Sequence, residues 1–493
     1  MTALIRDARR RTRRHLFGLA GAGIGISTLL AVALTAGAFA WGGSSATITP
    51  FQVPLPIPPV LTPTKTDTTT DYYTLTEQTG QQTIVPGTKT TIWGYNGITP
   101  GPTIVAQKGR NVALHLVNNL PESMSLHLHG GHQPSSSDGL PNDMIPSGGT
   151  KDYLYPTNAL SARTLWYHDH EMDLTAQHVY KGLAGFFLIK DSQEAGLNLP
   201  SGNYDVPLVI QDRSLNSDGS LNYNDGTGNT VLVNGAPMPY FQVAARKYRF
   251  RLLNGSNQTA YNFQLSNGQA MTEIGNEGGL LAAPVNRTSL PLSPAERADV
   301  VIDFSKVPVG TSVTMTDGGY GGSNYSGYSG GSYSSSSNGN IIRFDVVRSE
   351  TDPSTVPATL RPITKLSTSS ASITRTFTLD RGSNGWQING QLYDPTKYLA
   401  TVKAGATEIW KFQNNSGDDH PIHVHLVNFQ VLDINGKAPA APDDSWKDTI
   451  NVPGRGSATV IAKFDDYTGT FVLHCHRLEH EDRAMMGQFQ VVP

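Results

Sequence analysis

The sequence is poor in cysteine and in charge, and one long stretch of it has no histidine. Cys475 is the single cysteine in 493 residues, so no disulfide framework can form within the chain. For the same reason neither a thiolate-rich zinc site nor an iron-sulfur cluster can be built from it. Charged residues make up 16% of the chain and the formal net charge is -3. Without the first 40 residues, which carry six Arg and one Asp, 31 basic and 39 acidic groups leave -8. That balance argues against a nucleic-acid partner. Between residues 204 and 348 there is no histidine, although the chain has 14. The nine methionines are scattered apart from Met485-Met486, so there is no Met-rich segment.

What the chain does have is turn residues and short β-type runs. Gly 50 and Pro 31 bound short Val/Ile/Thr/Tyr segments, which reads as strands joined by turns and predicts an all-β fold. The length predicts about three domains. Residues 1–40 resemble an export signal. Thr12-Arg13-Arg14-His15-Leu16-Phe17 is similar to a twin-arginine motif, Leu16 to Ala40 carries no charged residue, and Ala38-Phe39-Ala40 fits a cleavage site. An exported, extracytoplasmic protein is expected; the alternative is that the segment stays on as a membrane anchor, for which it is long enough. Residues 41–71, with Pro54, Pro56, Pro58, Pro59 and Pro63, read as an extended arm. Domains are expected at 72–195, 196–348 and 373–493, with a Ser/Thr/Pro-rich linker at 349–372. Residues 317–340, almost entirely Gly, Ser, Tyr and Asn, cannot bury a core and read as a loop, either a plain flexible one or a tyrosine-bearing lid.

The most informative stretch is 471–487, where Cys475 lies between His474 and His476, with His480 at +5 and Met485 at +10. A thiolate, imidazoles and a thioether together suit copper, because a His₂Cys set with a weak axial Met is the blue-copper arrangement. On a strand, His474 and His476 face away from Cys475, so one short segment would touch two metal sites. Three further His-x-His pairs occur, at His127/His129, His168/His170 and His423/His425. Random placement of 14 histidines predicts ~0.4 such pairs, and strand spacing aims both rings of each at one point. His420, at an odd offset from His423, should face differently and is the natural second imidazole for Cys475. His115 and His178 read as structural, His15 belongs to the signal, and His132 is a candidate neighbour of the site.

These motifs, His127-Leu128-His129-Gly130, Trp166-Tyr167-His168-Asp169-His170, His420-Pro421-Ile422-His423-Val424-His425 and His474 to His480 with Met485, resemble the four copper signatures of the multicopper oxidases. Trp93-Gly94-Tyr95-Asn96-Gly97, Tyr248 to Asn254 and Leu292-Ser293-Pro294-Ala295-Glu296-Arg297 extend the resemblance from about residue 50 to the C-terminus. Tyr167 to His170 and His480-Glu481-Asp482 with Met485-Met486 are most similar to the spore-coat laccase and bilirubin oxidase branch.

The resemblance implies three cupredoxin-like Greek-key β-barrel domains and four copper ions. The type 1 ion would take His420, Cys475 and His480, with Met485 axial, and the type 2 ion His127 and His423. Of the two type 3 ions, one would take His129, His168 and His476, and the other His170, His425 and His474. It further implies small reducing molecules as substrates with O2 as the second reactant, a monomer, and Asp138 and Glu481 as acidic groups on proton routes. Asp138 also has an ordinary reading as a turn residue before Gly139, and Glu481 one as a structural carboxylate. Three other functions compare with an aromatic-substrate oxidase. A copper-free scaffold predicts lost ligands, and none is lost. A two-domain copper nitrite reductase predicts a shorter chain. A metallo-oxidase acting on Cu(I) or Mn(II) shares every copper motif, but often carries a Met-rich segment.

Overall fold

A computed structural model describes residues 48–319 and 339–493. The signal or anchor reading at 1–40 and most of the Gly/Ser/Tyr loop lie outside the described residues. The fold is all-β and cupredoxin-like, and its apolar side chains gather into three large cores that follow one another along the chain. The first contains Leu75, Leu114, Tyr167 and Phe187, the second Leu208, Phe250, Val300 and Phe344, and the third Phe377, Trp410, Phe471 and Cys475. Alternation produces each half-buried strand, as in Asn111–Asn118, where Val112, Leu114 and Leu116 point inward and His115 outward.

Around each core two sheets curl together, and the same pairing scheme appears three times. The opening strand of each repeat pairs in parallel with a later one: Thr70–Gln82 with Asn111–Asn118, Asp205–Arg213 with Lys247–Asn254, and Ala371–Gly382 with Thr407–Asn414. A second parallel pair joins an early strand to the last: Gly101–Gln107 with Ala184–Lys190, Tyr240–Ala245 with Asn340–Ser349, and Tyr398–Lys403 with Met486–Val492. Parallel neighbours cannot be joined by a tight hairpin, so the chain crosses between the two sheets of each unit.

The described part of the Pro-rich arm, from residue 48 on, is packed against the second core. Phe51 and Leu55 donate backbone hydrogen bonds to Met238 and Tyr240, and Leu55 enters the second core. The stretch 350–367 contains no strand, yet it too is fastened. Leu360 is buried with Leu281 and Val301, and Arg361 pairs with Asp191 at 2.7 Å. Two short helices, Thr175–Lys181 and Leu478–Asp482, pack on each other through Ala176, Val179 and Leu478. The second of these carries His480.

Candidate metal centre

Two strand pairs bring eight histidines to one place. In the first core's sheet Leu126–His129 runs antiparallel to Arg163–Asp169, with His127 opposite His168. In the third, His420–Val424 runs antiparallel to Gly469–Cys475, with His423 opposite His474 and Ile422 opposite Cys475. The period of two puts the histidines of each strand on one face, and the two faces meet. His129 stacks on His423 with ring centroids 3.6 Å apart, and His127 on His425 at 3.8 Å. Donor atoms of His129, His168 and His476 lie within 4.8 Å of one another, as do those of His170, His425 and His474, and those of His127, His129 and His423. All eight rings are buried.

The nitrogens of these rings tell what the space between them is suited to hold. Nδ1 of His127 hydrogen-bonds the backbone oxygen of Asp138 at 2.7 Å, that of His168 the oxygen of Asp169 at 2.7 Å, and that of His423 the oxygen of Asp448 at 2.8 Å. Each of the three leaves Nε2 buried without a protein partner. Buried polar atoms are rarely left unsatisfied, and lone pairs converging in this way are what a metal ion requires. The Nε2 atoms of His170 and His425 lie 3.2 and 3.3 Å from Nε2 of His474, closer than two protonated rings would tolerate. Burial pushes the proton affinity of His127, His129, His168, His425 and His476 well below the usual histidine value, and that of His423 down to about 3. These six rings are therefore neutral ligands at neutral pH.

Cys475 faces the other way, into the third core. Its Sγ lies 3.5 Å from Nδ1 of His420 and 3.7 Å from Nδ1 of His480, and the two nitrogens are 3.3 Å apart. A trigonal ion bound at ~2.1 Å needs ligand atoms ~3.6 Å apart, so the triangle has the right size for one. Burial pushes the Cys475 thiol up to about 12, so a cation must be present to hold the thiolate. Ser416 anchors the far nitrogen of His420 at 2.8 Å. Met485 is buried in the same core as Cys475, and its backbone links His480 and Cys475 through bonds of 2.9 and 3.1 Å. Trp386 covers His480, with ring centroids 4.1 Å apart.

Both acidic candidates touch the cluster. Asp138 follows the 3₁₀ turn Ser135–Ser137, so the turn reading holds for its backbone. Its carboxyl is buried, with Oδ2 2.7 Å from His425 Nδ1, and Oδ1 accepts from Gln133 at 2.9 Å. Burial raises its pKa to about 8, against the pull of Gln133. Glu481 Oε2 lies 2.8 Å from Nδ1 of His474, and Oε1 lies 3.4 Å from Nδ1 of His170. Burial opposes its charge, but His474 and His170 outweigh that and hold it at about 2. His132 bonds Leu426 O and Asp466 and does not reach the cluster. His178 is held by Asp169 and Glu122, and His115 by Asp152 at the surface. Sequence reasoning missed Asp448, which contacts His129 Nε2 at 3.1 Å; it lies two dozen residues from any site motif and only the fold brings it there.

Cupredoxin-like barrels that bury a lone thiolate beside an eight-histidine cluster define a copper-dependent oxidoreductase. Family models described as multicopper oxidase match residues 76–194, 164–319 and 364–493. The chain is 36% identical over 475 residues to a laccase of Bacillus subtilis (strain 168), covering 82% of this chain and 90% of that one. To the bilirubin oxidase of Albifimbria verrucaria it is 34% identical over 420 residues, covering 80% and 72%. The crystal structure of a laccase from Pediococcus acidilactici Pa5930 superposes with a TM-score of 0.83 at 31% identity, covering 91% and 95%. The chain belongs to the multicopper oxidase family. It is a laccase-like enzyme of that family, and its histidine clusters fit copper.

Proposed function

We propose that the chain holds four copper ions and oxidises phenolic or other aromatic molecules one electron at a time, reducing O2 to water. The type 1 ion is assigned to His420, Cys475 and His480 with Met485, and the type 2 ion to His127 and His423. The type 3 pair is assigned to His129, His168 and His476 and to His170, His425 and His474. The observation that carries this reading is that Cys475 completes one ligand triangle while its two chain neighbours enter the other cluster. Copper, when bound, supplies one-electron redox chemistry at Cys475 and dioxygen reduction among the eight imidazoles.

The chain's own residues do the rest. Cys475 lies between His474 and His476, so the covalent route from Sγ to either ring is one side chain and the adjoining backbone. Trp386 packs against the His480 ring at the edge of the type 1 site. Asp138 and Glu481 orient His425 and His474 through Nδ1 and are the carboxyl groups placed to pass on the protons. Four electrons and four protons convert one O2 into two water molecules. The twin-arginine-like segment supports export of the folded protein.

The similarity to a laccase and a bilirubin oxidase supports an aromatic reductant over a metal ion. Oxygen uptake with phenols, bilirubin, Cu(I) and Mn(II), each supplied alone, tests it. Uptake with phenols or bilirubin is expected, with four electrons consumed per O2. Uptake with Cu(I) or Mn(II) only would make the chain a metallo-oxidase.

A further inference from the structure

Five rings of the cluster, those of His127, His168, His423, His425 and His474, are anchored through Nδ1 and turn Nε2 inward. His129 is anchored the other way round. Its Nε2 lies 3.1 Å from Oδ1 of Asp448 and 3.2 Å from the hydroxyl of Thr449, and its Nδ1 is buried without a protein partner. An ionised carboxylate only accepts hydrogen bonds, so this contact selects the form with hydrogen on Nε2 and a lone pair on Nδ1. Thr449 donates to the same carboxylate oxygen at 3.0 Å.

Asp448 is itself held from the second domain. Arg297 donates from Nη1 to Oδ1 at 2.9 Å and from Nη2 to Oδ2 at 2.6 Å, and both side chains are fully buried. The same guanidinium donates from Nε to the backbone oxygen of Thr164 at 3.1 Å, in the strand that carries His168. Gly130, next to His129, has φ 79°, and a Cβ there would meet Asp448 Oδ2 and Arg297 Nη2. The ion pair thus occupies the place of that missing side chain. A buried pair of this kind is a weak source of stability, because desolvation offsets the attraction.

We infer that Arg297 and Asp448 are positioning residues of the cluster: the pair keeps the hydrogen of His129 on Nε2 and so presents Nδ1 to the metal. The domain without histidines thereby sets one ligand atom of a site it does not ligate. The inference rests on the ligand assignment proposed above.

The test compares wild type, Arg297→Lys, Asp448→Asn and Arg297→Met/Asp448→Leu as copper-loaded full-length proteins. Copper per chain is measured during dialysis against rising chelator, with the visible thiolate band read in parallel. The double variant leaves no uncompensated buried charge, and its blue band reports a folded third domain. It should stay blue while losing the copper beyond the Cys475 ion at ~10-fold or more below the wild-type chelator concentration, the usual scale for removing a ligand's hydrogen-bond partner. Arg297→Lys, which keeps a cation on Asp448, should restore most of that retention. A blue double variant that keeps its copper like wild type overturns the inference. If the double variant does not fold, Asp448→Asn decides, because the two Arg297 donors then compete with His129 for one carboxamide oxygen; wild-type retention there overturns it too. Wild type that never binds copper beyond the Cys475 ion overturns the ligand assignment instead.

Discussion

The thiol of Cys475 has no substitute anywhere in the chain, and its neighbours at -1 and +1 are committed to the other cluster. Cys475→Ser should therefore remove the visible band and substrate oxidation together, since a hydroxyl does not give the thiolate charge transfer. A blue, active variant would contradict the assignment. Met485 and Met486 present a finer question of register. Met485 is buried among the side chains of the Cys475 core, while Met486 begins the next strand, opposite His474. Replacing the weak thioether by an aliphatic group removes donation to the oxidised ion. Met485→Leu should raise the type 1 reduction potential, and Met486→Leu should move it much less, as a redox titration of both variants would show. At this scale the ligand candidates were legible from residue type and spacing, because a metal site dictates both. Asp448 and Arg297 were not, since each acts through a neighbour hundreds of residues away or in another domain.

Among the structural elements, the strands that carry His-x-His pairs were legible because the period of two that aims the rings is the same one that makes the strand. The helix Leu478–Asp482 was less so, being five residues long and held by packing on Thr175–Lys181. Nor did the sequence show how firmly the first two domains are joined. Asp205, at the start of the strand Asp205–Arg213, bonds Arg251 at 2.6 Å and Lys190 at 2.8 Å, and Lys190 ends a strand of the first domain's core sheet. Burial disfavours the charge of Asp205, but Arg251, Arg249 and Lys190 outweigh it and hold its pKa far below the ordinary carboxylate value. Because the folded-state pKa is the lower one, this contribution to stability is fully present above the unfolded value of ~3.9 and is lost as pH falls below it. Asp205→Ala leaves Arg251 buried without that partner and should cost about 3 kcal/mol or more at neutral pH. Thermal unfolding at pH 7 and pH 3 checks both parts: the variant should unfold well below wild type at pH 7, with a smaller gap at pH 3.

For the whole molecule, one pairing scheme is found three times among the described residues. The Greek-key arrangement constrains where apolar residues alternate and leaves their identity largely free, but each repeat ends one parallel-paired strand on a buried Asn, Asn118, Asn254 or Asn414, whose side-chain oxygen accepts from the backbone N–H two residues on. The all-β class was legible from turn composition, whereas the packing of the Pro-rich arm and of residues 350–367 was not. Both are held mainly by backbone bonds and single anchors such as Leu55 and Leu360. The metal centre is a product of the whole chain: its rings come from the first and third domains, and a guanidinium that braces it comes from the second. The most direct measurement is the copper content of the purified, copper-loaded protein, taken with its visible spectrum. Four copper ions per chain with an intense blue band are predicted, and a single copper per chain would contradict the account.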